Sequence, residues 1–143
     1  MKITATVIAA AAAVSLSSLA LAADETVAMP IKDGLEAGKH TKNTIGDDIK
    51  LYFGKQKTPA VDKKIWEGST TQKSMRKSKK EHCETAFVSA ILRLQDRARK
   101  EGGNAVVNIV SSGGNDSATE YTCTSGRVTG SVTLRGTVVT LKK

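Results

Sequence analysis

Between Cys83 and Ala98, apolar residues recur at three- and four-residue spacing through Ala86, Phe87, Ala90, Ile91 and Leu94, painting one stripe along a helix. Ser78 followed by Glu81 supplies a capping box at its start. Arg97, Arg99 and Lys100 suit the dipole at its end, and Gly102-Gly103 stops it. The predicted helix runs from Lys79 to about Lys100.

Beyond Gly103 the period changes to that of strands. Ala105 to Val110 is a β-branched run suited to a central strand buried on both faces, Ser112 to Asp116 is a loop, and Glu120 to Thr124 is a second strand. From Arg127 the even positions Val128, Val132 and Leu134 are apolar, and Val139 and Leu141 then shift the apolar face by one, which predicts a bulge near Gly136. The expected fold is α+β, one main amphipathic helix packed on a small antiparallel sheet whose last three strands form a meander.

Upstream the pattern is weaker. Val27 to Ile31 reads as a short strand stopped by Pro30, with Asp33 capping a single helical turn through Leu35 and Ala37 before Gly38. Ile49 to Phe53 alternates as a half-buried strand, closed by Gly54. Residues 55–78 are polar almost throughout and predict a long loop with a turn near Val61 to Trp66. Asp47-Asp48 reads as a solvated turn. Asn104 is expected to take unusual backbone angles between helix and strand, and Asn108 to satisfy a neighbouring backbone group.

The first 22 residues change the picture most. Met1-Lys2 precedes an Ala-rich apolar run that ends Ala20-Leu21-Ala22, a small-x-small site, and Ala23-Asp24-Glu25 follows in place of a basic stop-transfer flank. This predicts a signal peptide over 1–22, cleaved after Ala22, and a periplasmic or secreted single domain over 23–143. No Cys follows the cleavage site to take a lipid.

Charge is concentrated in one segment. Nine basic residues lie between Lys55 and Lys80 against Asp62 and Glu67, a net +7, while the rest of the mature chain carries twelve basic and twelve acidic residues. Lys63, Lys64, Lys73, Arg76, Lys77, Lys79 and Lys80, with Trp66 among them, are the candidate contacts for an anionic polymer or membrane surface. The competing reading is a solvated segment that keeps a small protein soluble.

Cys83 and Cys123 are the only cysteines. An even count in an exported chain reads as one disulfide, and about 40 residues closed in this way contribute roughly 3 to 4 kcal/mol. A redox-active pair, free thiols and a metal site are the alternatives. No Cys-x-x-Cys is present, and His82 and Cys83 point about 100° apart on a helix, so they do not converge on one ion as an i, i+4 pair would. His82 reads as a surface residue, and His40 is the only other base. Serines are plentiful, but no Gly-x-Ser-x-Gly elbow occurs.

Several stretches together carry a family resemblance: Leu51-Tyr52-Phe53-Gly54, the helix through Ala90-Ile91-Leu92-Arg93-Leu94, and Glu101-Gly102-Gly103-Asn104-Ala105-Val106-Val107. With Cys83, Cys123 and Gly136-Thr137-Val138-Val139, they resemble a family of small exported proteobacterial proteins labelled "excinuclease ATPase subunit". The activity in that label needs a phosphate loop ending in Lys-Ser or Lys-Thr, and zinc-binding cysteine sets; neither is present. More distantly, helix, Gly-Gly-Asn-Ala-Val-Val strand and meander are similar to the small domains of the Rcs envelope-stress sensor lipoprotein and the YbjQ-type proteins. That likeness implies an envelope role by analogy.

The expectation is a non-catalytic binding or accessory protein of the cell envelope, with no cofactor, no metal, no specific nucleic-acid partner, and an envelope protein, anionic polymer or membrane surface as the partner class. The two alternatives are an anion-binding module using the basic segment and a metal- or redox-responsive protein using Cys83 and Cys123.

Overall fold

The computed structural model describes residues 24–113 and 116–143. The expected signal peptide and two residues of the Ser112 to Asp116 loop lie outside the described residues.

Among the described residues eight elements follow in order: β1 (Glu25–Pro30), α1 (Ile31–Lys39), β2 (Lys50–Phe53), β3 (Val61–Met75), α2 (Lys79–Glu101), β4 (Ala105–Ser111), β5 (Glu120–Ser125) and β6 (Thr129–Leu141). The α+β class is as expected, with two helices and a curled, mixed six-stranded sheet in place of one helix on a small antiparallel one. β6 organises it. β3 pairs with β6 along one edge from Thr129 to Leu141, while on the other edge β5 takes Gly130 and Ser131 and β4 takes Leu134 to Val139. β1 adds to β5, and β2 adds to β4 in parallel. The last three strands are therefore no meander, because β6 lies between β4 and β5 in the strand order.

α2 covers one face of this sheet. Ser78 Oγ accepts the Glu81 N–H at 3.1 Å, and Gly102 ends the helix at φ 79°, a left-handed conformation that glycine adopts without steric penalty. Its stripe meets Val106, Ile109, Val132, Leu134 and Val138 in one core. Phe87, Ile91 and Leu94 are fully buried there, each stabilising the fold by about 1.5 to 3 kcal/mol on transfer from water. The Phe87 ring stacks on Tyr121 at 4.1 Å between centroids. α1 is longer than the expected single turn. Pro30 stands at its N-cap with no side-chain bond, Asp33 lies in its first turn, and Gly38 is inside it.

Residues 55–78 are not the expected long loop, since fifteen of them form β3. Two bulges hide its alternation. Register slips between Val61 and Lys63 and again between Lys64 and Trp66, so no single period of two runs through the strand. From Trp66 onward the pairing with β6 is unbroken.

Gly136 itself stays in register opposite Gly68. The bulges sit instead in the flanking strands, near Ile65 of β3 and at Asn108 of β4. Asn108, at φ 53°, holds the left-handed backbone expected of Asn104. Asn104 instead clamps the C-terminal strand: its Oδ1 accepts from the Leu141 N–H at 2.8 Å and its amide donates to the Leu141 carbonyl at 3.3 Å.

Candidate functional site

Alternation along a strand sends every second side chain to the face opposite the core. On β6, Val132, Leu134 and Val138 enter the core under α2, so Ser131, Thr133, Arg135 and Thr137 point to the other side. The same rule puts Ser69, Thr71 and Lys73 of β3 and Thr122 and Thr124 of β5 on that outer face. No helix covers it among the described residues. Registers align it into rows: Lys73, Ser131, Thr124 and Thr26 lie side by side across four strands, and Thr71 stands opposite Thr133 with their hydroxyls 2.7 Å apart. At one end a depression of about 620 Å³ opens between Asp24, Lys73, Met75, Thr124 and Ser131. Met75, 69% exposed, is its apolar element.

The candidate anion-binding residues are spread along β3 and into the first turn of α2. Lys63 and Lys73 are ten residues apart on an extended strand, about 33 Å, several Debye lengths at physiological salt. Glu67 is held by Lys64 and by Arg135 on β6, and both lower its pKa. Lys79 pairs with Glu25 at 2.8 Å, and Lys80 pairs with Glu84 one helical turn on. Lys63, Lys73, Arg76 and Lys77 have no ion-pair partner among the described residues. Trp66 turns toward α2, where the Arg97 guanidinium lies 4.7 Å from its ring centroid. Its ring also covers Gly68, leaving no room there for a Cβ.

Cys83 and Cys123 form a disulfide between α2 and β5, with Cα atoms 5.8 Å apart and both residues fully buried. The bond consumes both thiols. Among the described residues no group of three or more His, Cys, Asp and Glu side chains is arranged to hold a metal. His40 meets Glu36 at the exposed end of α1.

His82 is not a surface residue. It is 1% exposed, tucked beneath Gly130, whose hydrogen-only side chain is what admits it: a Cβ there would stand 2.8 Å from His82 Cδ2. Nε2 lies 2.6 Å from Ser125 Oγ, and Nδ1 lies 3.3 Å from the Arg76 carbonyl. A Ser–His pair oriented by a third acceptor is the pattern of an activated nucleophile. Ser125 is only 4% exposed, so the pair lies largely out of contact with solvent. The pair ties the start of α2 to the end of β5. Ser125 was invisible in the sequence because nothing local connects it to a residue 43 positions earlier.

Gln95 carries no local signal in the sequence either. It is fully buried beside the apolar stripe; its Oε1 accepts from the Gly46 N–H at 3.1 Å, and its amide donates to Gly46 O at 2.9 Å and Ile49 O at 3.0 Å. Asp47-Asp48 is consequently not a free turn. Arg99 grips Asp48 in a two-pronged pair at 2.7 and 2.9 Å, and this hydrogen-bonded guanidinium lowers the Asp48 pKa to about 2. Together Gln95 and Arg99 pin the segment before β2 onto α2.

No family model, curated protein or solved structure matches the chain. Among the described residues, no helix is long and apolar enough to cross a membrane.

Proposed function

We propose that the chain is an exported, non-catalytic binding or accessory protein of the cell envelope, and that the outer face of its sheet is the surface that binds. The observation that carries this reading is the asymmetry of the sheet. One face is closed by α2, while the other presents aligned Ser and Thr hydroxyls and an open depression beside Lys73 and Met75. Preformed rows of hydroxyl donors and acceptors on a rigid sheet suit recognition of a polar partner. Among the described residues, the Ser125–His82 pair is buried under the sheet and not open to the outer face. Export is supported by the leader-like first 22 residues and by a buried disulfide, a bond that persists in oxidising compartments. The resemblance to small exported proteobacterial proteins points the same way.

Two measurements test this. The intact mass of the protein recovered from the periplasm should begin at Ala23 and be two protons short of the reduced chain. Replacing Thr124 and Ser131 by Glu should release an envelope partner that co-purifies with the parent protein, without changing its thermal midpoint. A protein retained in the cytoplasm, or a partner indifferent to the outer face, would refute the reading.

Anion binding through the basic segment is the second reading, favoured by the unpaired Lys63, Lys73, Arg76 and Lys77. It requires a binding constant that falls steeply with salt.

A further inference from the structure

The outward edge of β3 has a composition and setting that the outer face does not share. Ser112 N–H donates to the Thr133 carbonyl, so the backbone groups of Thr133 point toward β4 and away from β3. Thr71, opposite Thr133, therefore belongs to a non-hydrogen-bonded pair, the closely spaced kind, as the 2.7 Å hydroxyl contact shows. By alternation, Ser69, Thr71 and Lys73 direct their N–H and C=O groups to the edge that pairs with no other strand among the described residues. Both bulges of β3 precede Trp66, so the stretch from Glu67 to Met75 lacks the irregularity that ordinarily protects a long edge, and it contains no proline.

At Gln72 this edge adjoins a groove whose charged lining is Lys42, Arg93, Arg99 and Asp96, the last two ion-paired with each other. Gln72, on the helix side of β3, shares a depression of about 630 Å³ with Ser89, Leu92 and Arg93 of α2 and with Lys42. Arg93 and Lys42 have no ion-pair partner among the described residues. A strand added to the edge would send alternate side chains to two sides, one set toward Lys73 on the outer face and the other toward Gln72 and Arg93. Both sides present cations. Pairing with a second copy is disfavoured by the same charges, since Glu67 is already shared by Lys64 and Arg135.

We propose that the free edge of β3 between Glu67 and Met75 takes an extended acidic peptide segment as an added strand, seated between that edge and Arg93 of α2. This rests on the binding-protein reading and names its partner class. Backbone hydrogen bonds to Ser69, Thr71 and Lys73 supply affinity, and Lys73 and Arg93 select acidic side chains on the two sides.

The test uses the disulfide-intact protein and a short synthetic peptide of alternating Glu and Thr, followed by fluorescence anisotropy. A second peptide of the same sequence, N-methylated at every second residue on its pairing edge, keeps the charge and loses the donors. The expected result is binding of the first peptide and at least about tenfold weaker binding of the second, the size expected from loss of several hydrogen bonds. Thr71→Pro, which removes a donor aimed at the edge and none of the bonds to β6, and Arg93→Glu should each weaken binding by a similar factor. The N-methylated peptide gives the answer even where Thr71→Pro fails to fold. Equal binding of both peptides would overturn strand addition while leaving a charge-driven binding protein. Binding of neither peptide, or a protein already dimeric through β3, would overturn the inference and leave the outer-face reading to its own test.

Discussion

His82 and Ser125 are joined by a 2.6 Å hydrogen bond immediately beside the Cys83–Cys123 disulfide, so two successive ties fasten the first turn of α2 to β5. One is covalent and the other polar. Ser125→Ala would leave the buried Nε2 of His82 without its partner, and should cost about 1 to 3 kcal/mol in urea unfolding. In a double-mutant cycle with His82→Ala the two losses should be strongly non-additive, because each single change already breaks the same bond. Additive losses would show that the bond contributes nothing of its own.

The disulfide closes a separation of 40 residues, for which chain entropy gives about 4 kcal/mol. Cys83→Ala combined with Cys123→Ala should lower the unfolding free energy by roughly that amount at neutral pH. An unchanged midpoint in chemical denaturation would contradict a structural role.

Gln95→Leu keeps the side-chain volume and removes three hydrogen bonds to Gly46 and Ile49. We expect a loss of about 2 to 3 kcal/mol, together with faster amide exchange at Lys50, whose N–H bonds the Asn104 carbonyl. Exchange at α2 amides far from the loop should be unaffected.

Asp48 and Glu67 both have lowered pKa values, through Arg99 for Asp48 and through Lys64 and Arg135 for Glu67. A folded carboxyl held below its unfolded value favours folding above the unfolded pKa, near 4. Its contribution is lost as the pH falls through the folded value, about 2 for Asp48. Acid unfolding curves should therefore steepen between about pH 4 and pH 2, and Asp48→Asn should flatten that dependence. A variant with the parent slope would show that the pair is screened at the surface.

How far the fold could be read depended on whether its signals were local. α2 was legible because cap, stripe and glycine stop are all written in neighbouring residues. β3 was not, since its period is broken by bulges at the start and its apolar content is low; only the long partner β6 makes it a strand. The cysteines are legible as a pair, yet their polar companion Ser125 is not, and the burial of His82 under Gly130 has no local signal because it depends on a residue 48 positions away. The outer face could have been suspected from the alternation of Ser131, Thr133 and Thr137, but its rows exist only through registers across four strands.

Site-specific photo-crosslinking in living cells addresses the central claim most directly. A photoreactive residue at Ser69 or Thr124, both exposed on the outer face, should give a discrete adduct with an envelope component, and the same residue at Lys100, at the exposed end of α2, should give none. Adducts of equal yield at all three positions, or at Lys100 alone, would contradict the assignment of the open sheet face as the binding surface.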